Sequence, residues 1–100
     1  MAALLLKTDG QQIEVKPANG TDFTLEELYQ YCGSPVDIQR LPKTGGIMVV
    51  NDEAKLTGLP INVEASKLWL KNYPLDEFPI NNHGTIAGDV LVCKSSKMVR

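Results

Sequence analysis

The sequence predicts an α+β fold: a single small domain with a mixed or antiparallel sheet of about five strands, in the order β-β-α-β-β-α-β, and two short helices on one face. Three observations carry this expectation. Short apolar or alternating runs recur at Ala2–Lys7, Gln11–Lys16, Val36–Leu41, Ile47–Val50 and Val90–Lys94. Two stretches show helical spacing behind a capping residue, Thr24 and Asn62. Turn residues separate these segments, at Asp9-Gly10, Asn19-Gly20, Gly45-Gly46 and Gly58-Leu59-Pro60.

Each element has a local reason. Ala2–Lys7 is apolar throughout and suits a strand buried on both faces. Asp9-Gly10 makes a hairpin to Gln11–Lys16, where Ile13 and Val15 alternate with Gln12 and Glu14, and Pro17 ends that strand. Thr24-Leu25-Glu26-Glu27 fits a capping box. Leu25, Leu28, Tyr29 and Cys32 then share one helical face, with Tyr29 expected in the core. Gly33 and Pro35 stop the helix. Val36–Leu41 alternates, Pro42–Gly46 is a loop, and Ile47–Val50 is a buried strand. Asn62 is an N-cap for a helix from Val63 to about Lys71, with Ala65, Leu68 and Trp69 inward. Residues 72–84 lack a period and read as a long loop, the kind that is functional, mobile or in contact with a partner. Residues 1–94 are expected to form the domain and 95–100 a loose C-terminal tail.

Composition narrows the function. The 100 residues carry 43% hydrophobic and 22% charged side chains, the balance of a globular domain. A formal net charge of −2 argues against broad electrostatic binding to nucleic acid or anionic membranes. No run reaches the ~18 apolar residues of a membrane span, and Met1–Lys7 is too short for a signal peptide, so a cytoplasmic protein is expected. Cys32 and Cys93 lack zinc-ligand spacing and read as buried free thiols.

No catalytic or metal motif stands out, and no cofactor is expected. His83 sits among Asn81, Asn82 and Gly84; a general base is one reading and a solvated loop histidine the simpler one. The doublets Asp52-Glu53 and Asp76-Glu77 could do acid–base work or hold a hard cation, but they lack calcium-loop spacing and suit turns. Trp69 and Tyr73 suit core and edge packing, or anchors of a subunit interface. Gly58-Leu59-Pro60-Ile61-Asn62 leads to a helix N-terminus, which attracts anions; the same residues would serve as a turn and cap.

The stretch Asn51-Asp52-Glu53-Ala54-Lys55-Leu56-Thr57-Gly58-Leu59-Pro60-Ile61-Asn62 resembles the signature of domain-of-unknown-function family 3846, a pattern close to N-[ED]-[ED]-[GA]-K-L-x-G-L-P-x-N. Ile86-Ala87-Gly88-Asp89-Val90-Leu91-Val92 is similar to its second motif, an Ile-x-Gly before an apolar strand. Ala54 stands where many members have glycine. The resemblance implies a protein of phages, other mobile elements, their bacterial hosts or large algal viruses, with no common activity.

The resulting expectation is a small, non-enzymatic, intracellular binding module. One version sequesters a small anionic ligand such as a signalling nucleotide, as a host-defence antagonist, at a site drawn from Arg40, Lys43, Asn51, Asp52, Lys55, Gly58 and Asn62 and formed at a homo-oligomer interface. A second binds a host protein through an edge strand or the 72–84 loop. The third, a small nucleotide- or phosphoester-acting enzyme, lacks a visible nucleophile, base pair or metal set.

Overall fold

A computed structural model describes residues 3–54, 56–73 and 86–99. The strands are β1 (Ala3–Leu6), β2 (Gln12–Val15), β3 (Val36–Arg40), β4 (Ile47–Asn51) and β5 (Val90–Cys93). The helices are α1 (Leu25–Cys32) and α2 (Val63–Asn72). The α+β order expected from the sequence is the one observed. The five strands form one sheet in the order β2-β1-β5-β4-β3, and every neighbouring pair is antiparallel. Composition explains the placement. The apolar runs of β1, β4 and β5 occupy the interior, while the polar-alternating β2 and β3 form the edges.

The two helices do not share a face, which corrects one expectation. Ile47 and Val49 of β4 pack with Leu28 and Cys32 of α1, together with Leu5, Leu91 and Cys93. Met48 and Val50, the alternate residues, pack with Ala65 and Trp69 of α2, together with Leu6 and Val90. Successive side chains on a strand point to opposite faces, so α1 and α2 cover opposite sides of the sheet. The physical reason was in the apolar runs. A strand with no polar row needs a layer on each side.

α1 itself follows its capping box. The Glu27 N–H donates to Thr24 Oγ1 at 3.3 Å, and the Thr24 N–H donates to Glu27 Oε1 at 2.9 Å. Only half of its expected apolar face is used. Leu28 and Cys32 are buried, whereas Leu25 is 51% and Tyr29 37% exposed, so Tyr29 is not a core residue. The helix is tied to the segment before it: Glu27 accepts the Ala18 N–H, and Tyr31 packs edge-on against Phe23.

The tail expected at 95–100 is also corrected. Ser96–Met98 forms a 3₁₀ turn, and Met98 is 1% exposed within the α1-side core. The Phe23 N–H donates to Met98 O at 2.6 Å, and Phe23 pairs with Val99 in a parallel bridge. Two apolar residues in an otherwise polar end give no periodicity to read, yet they are enough to dock it. At the β3–β4 loop, Gly46 (φ +85°) passes so close to β5 that a Cβ would lie 2.2 Å from Cys93 O. Beyond Tyr73 the expected 72–84 loop, with the Asp76-Glu77 doublet and His83, lies outside the described residues, as does Lys55. Asn72 is the last residue of α2. Among the described residues, no helix is long and apolar enough to cross a membrane.

Candidate functional site

The 51–62 stretch leaves the end of β4, makes a helical turn and enters α2. Its polar groups are mostly committed to the fold. Asn51 Oδ1 accepts the Glu53 N–H at 2.9 Å, and the Asp52 N–H donates to Pro35 O at 2.9 Å. The Thr57 N–H and hydroxyl both donate to Glu53 O. Ala54 is buried, at a position where the sequence pattern admits glycine, and its Cβ lies against Gly88. Gly58, at φ +77°, sits in open space.

Asn62 is the most heavily used residue of the stretch. It is 0% exposed. Its Oδ1 accepts the Ala65 N–H at 3.0 Å, the expected N-cap. Its Nδ2 donates to Leu6 O at 2.8 Å and to Gly88 O at 2.9 Å. Its N–H donates to Ile86 O, and its carbonyl accepts both the N–H and the hydroxyl of Ser66. The α2 N-terminus is therefore closed by a side chain, and Asn62 has no amide hydrogen left for a ligand.

The seven residues singled out by sequence do not converge. Asn51, Asp52, Gly58 and Asn62 lie towards one end of the sheet. Arg40 pairs with Ile47 at the other end of β4, about 14 Å away by strand rise. Lys43 lies in the β3–β4 loop, where its N–H donates to Asn72 Oδ1 at 2.8 Å. Lys55 is not among the described residues.

A cleft of about 260 Å³ opens beside the stretch instead, between the end of α1 and Leu59-Pro60. Thr8, Tyr31, Cys32, Gly33, Gly88 and Asp89 complete its walls. Gly33 (φ +83°) leaves room for the Asn51 amide, which would lie 2.7 Å from a Cβ there. Asp89 accepts the Thr8 N–H at 3.0 Å and pairs with Lys7 at 3.3 Å. The Cys32 thiol donates to Val49 O at 3.5 Å, and burial pushes it up to about 12. Burial likewise raises Cys93, to about 11. Both cysteines are free and buried, as their apolar settings imply, and both stay protonated near neutral pH.

Sequence reasoning missed the cleft because its walls come from separate segments with no shared spacing. It also missed Ser66 and Asn72. A signal for these two existed: they share the inward stripe of α2 with Asn62, Ala65 and Trp69, where polar residues are out of place unless bonded. Trp69 and Tyr73 are core and edge packing. Their rings stand 4.3 Å apart, and the Tyr73 hydroxyl donates to Arg40 O at 2.7 Å.

No curated protein and no solved structure matches the chain. The model of the domain of unknown function DUF3846 matches residues 1–98, across both motifs and the docked C-terminal turn, and the chain belongs to that family.

Proposed function

We propose that this protein is a non-catalytic binding module that holds a small ligand in the cleft between the end of α1 and Leu59-Pro60. The observation that carries the reading is the cleft itself, where apolar walls meet a few fixed polar groups. Leu59, Pro60 and the Tyr31 ring offer apolar surface, and Thr8 offers a hydroxyl. For an anionic ligand the cation at hand is Lys7, 35% exposed, which a phosphate would draw from Asp89. The finer form of the reading is sequestration of a signalling nucleotide in the host cytoplasm by a phage or mobile element. A binding role fits the local chemistry: the Cys32 thiol is held protonated, and the Asp89 carboxylate is tied by Thr8 and Lys7.

Calorimetric titration with a panel of nucleotides tests this. The expected result is binding weakened about tenfold or more by Lys7→Ala and by Tyr31→Ala, with the nucleotide recovered intact after heat denaturation. Turnover of the nucleotide, or binding indifferent to both substitutions, contradicts it.

A host protein as partner is the second reading, favoured by the exposed Leu25 and Tyr29 of α1 and Ile38 of the edge strand β3. Such a partner would meet side chains more than backbone. Asp37 Oδ1 already takes the Ile38 N–H at 3.0 Å, and Gln39 Nε2 donates to the same carboxylate, which blunts the edge against strand addition.

A further inference from the structure

Asp89 puts a carboxylate in the wall of the cleft beside Leu59-Pro60. Its two oxygens are held differently. Oδ1 accepts the Thr8 N–H at 3.0 Å, a backbone group that fixes it in the fold. Oδ2 faces Lys7 Nζ at 3.3 Å, and this pair is partly open to solvent, with Asp89 28% and Lys7 35% exposed. A carboxylate offers about four lone-pair sites, so each oxygen has room for a further donor.

That arrangement sets a condition on an anionic ligand. The flexible lysine stem lets a phosphate draw Lys7 away, and Oδ2 then loses its partner. The carboxylate is left beside apolar walls, where an unpaired charge weakens binding. A ligand that takes Lys7 with a phosphate must therefore bring N–H donors of its own to Asp89. The cleft, at about 260 Å³, is small for a ligand site. It suits one planar base inside, with the phosphate at the mouth beside Lys7.

We propose, on the reading that this cleft is the ligand site, that Asp89 selects a guanine base. A carboxylate is matched by two adjacent donors, which make parallel charge-assisted bonds. Guanine presents such a pair, N1–H and the N2 amino group, on one edge. Adenine and cytosine set a ring-nitrogen acceptor beside their amino group, and uracil flanks its single N–H with two carbonyl oxygens. Each of those three edges turns an acceptor towards the Asp89 carboxylate, which is repulsive.

Calorimetric titration with guanosine, adenosine, cytidine and uridine 5′-monophosphates tests this, with circular dichroism melts confirming that each variant is folded. The wild type should bind the guanine nucleotide about tenfold or more tighter than the other three. Asp89→Asn keeps an oxygen for the Thr8 N–H but turns one acceptor into a donor. Xanthine sets its N1–H between two carbonyl oxygens and so matches an amide. Asp89→Asn should therefore bind xanthosine 5′-monophosphate tighter than the guanine nucleotide, with the reverse order in the wild type. Equal binding of the four nucleotides, or preference for another base, overturns guanine selection; if Lys7→Ala and Tyr31→Ala still weaken that binding, the cleft stands as the ligand site. An order unchanged by Asp89→Asn overturns the role of Asp89. Binding of none of the nucleotides overturns both the selection and the nucleotide site.

Discussion

α1 and α2 start with the same chemistry and hold the sheet by different means. Each has a side-chain oxygen at its N-cap. Thr24 and Glu27, at the start of α1, satisfy one another within four residues of chain, in a half-buried setting. The grip of α1 on the sheet comes from apolar contacts, chiefly Leu28 and Cys32. α2 is pinned by polar side chains. Asn62 ties it to β1 and to the segment before β5, and Ser66 accepts the Ile86 N–H. Asn72 accepts the Lys43 and Thr44 N–H groups of the β3–β4 loop. The buried polar residues of the described chain are these three. A threonine cap ends its work at the helix. A buried asparagine has a second, donating end, and that end makes a cap into a cross-link between segments far apart in sequence.

Substitutions can break or sharpen this contrast. The largest effect is expected for Asn62→Ala. It removes a cap, worth about 1 kcal/mol, and strands the Leu6 and Gly88 carbonyls. Adding a buried unsatisfied group at about 1–3 kcal/mol gives a loss of about 2–4 kcal/mol in urea unfolding. Next comes Asn72→Ala, at about 2 kcal/mol, because the Lys43 and Thr44 N–H groups it releases lie at the surface and can turn to water. Thr24→Ala should cost about 1 kcal/mol, the worth of a cap that makes no contact beyond its own helix. If it matched Asn62→Ala, the contrast would fail.

The smallest effect concerns pH. The Thr24 and Ala18 backbone N–H groups, with the Thr24 hydroxyl, hold the Glu27 carboxyl below its ordinary 4.5. A carboxyl lowered in the folded state binds fewer protons there than in the unfolded chain. Its contribution is therefore present above the unfolded value and lost as pH falls through the folded one. Comparing unfolding at pH 7 and pH 3, Glu27→Gln should lose less stability than wild type. Equal slopes would show that Glu27 does not carry this linkage.

The contrast also explains what could be read from the sequence. The capping box, the Gly33 stop and the strand order along the chain were legible because each depends on neighbours in sequence. The opposite faces of α1 and α2 were implied by Ile47–Val50, whose alternate residues both needed cover. Asn62 was legible as a cap but not as a cross-link, since Leu6 and Gly88 are brought to it only by the sheet. The candidate site was legible least. Asn51 and Asn62 looked available because they are polar and sit in a turn, yet the Asn51 Oδ1 and both ends of the Asn62 amide serve the fold. Lys7, Thr8 and Asp89 had no motif to mark them, and meet only where the start of β5 lies beside the end of β1.

A matched pair of conservative substitutions tests the difference between the two caps most directly. Asn62→Ser and Thr24→Ser each keep a good N-cap oxygen, but the first removes the Nδ2 donor. Equilibrium urea unfolding should show a loss of about 2 kcal/mol or more for Asn62→Ser and under about 0.5 kcal/mol for Thr24→Ser. Equal, small losses would contradict the cross-link and leave Asn62 as an ordinary cap whose amide is free for a ligand.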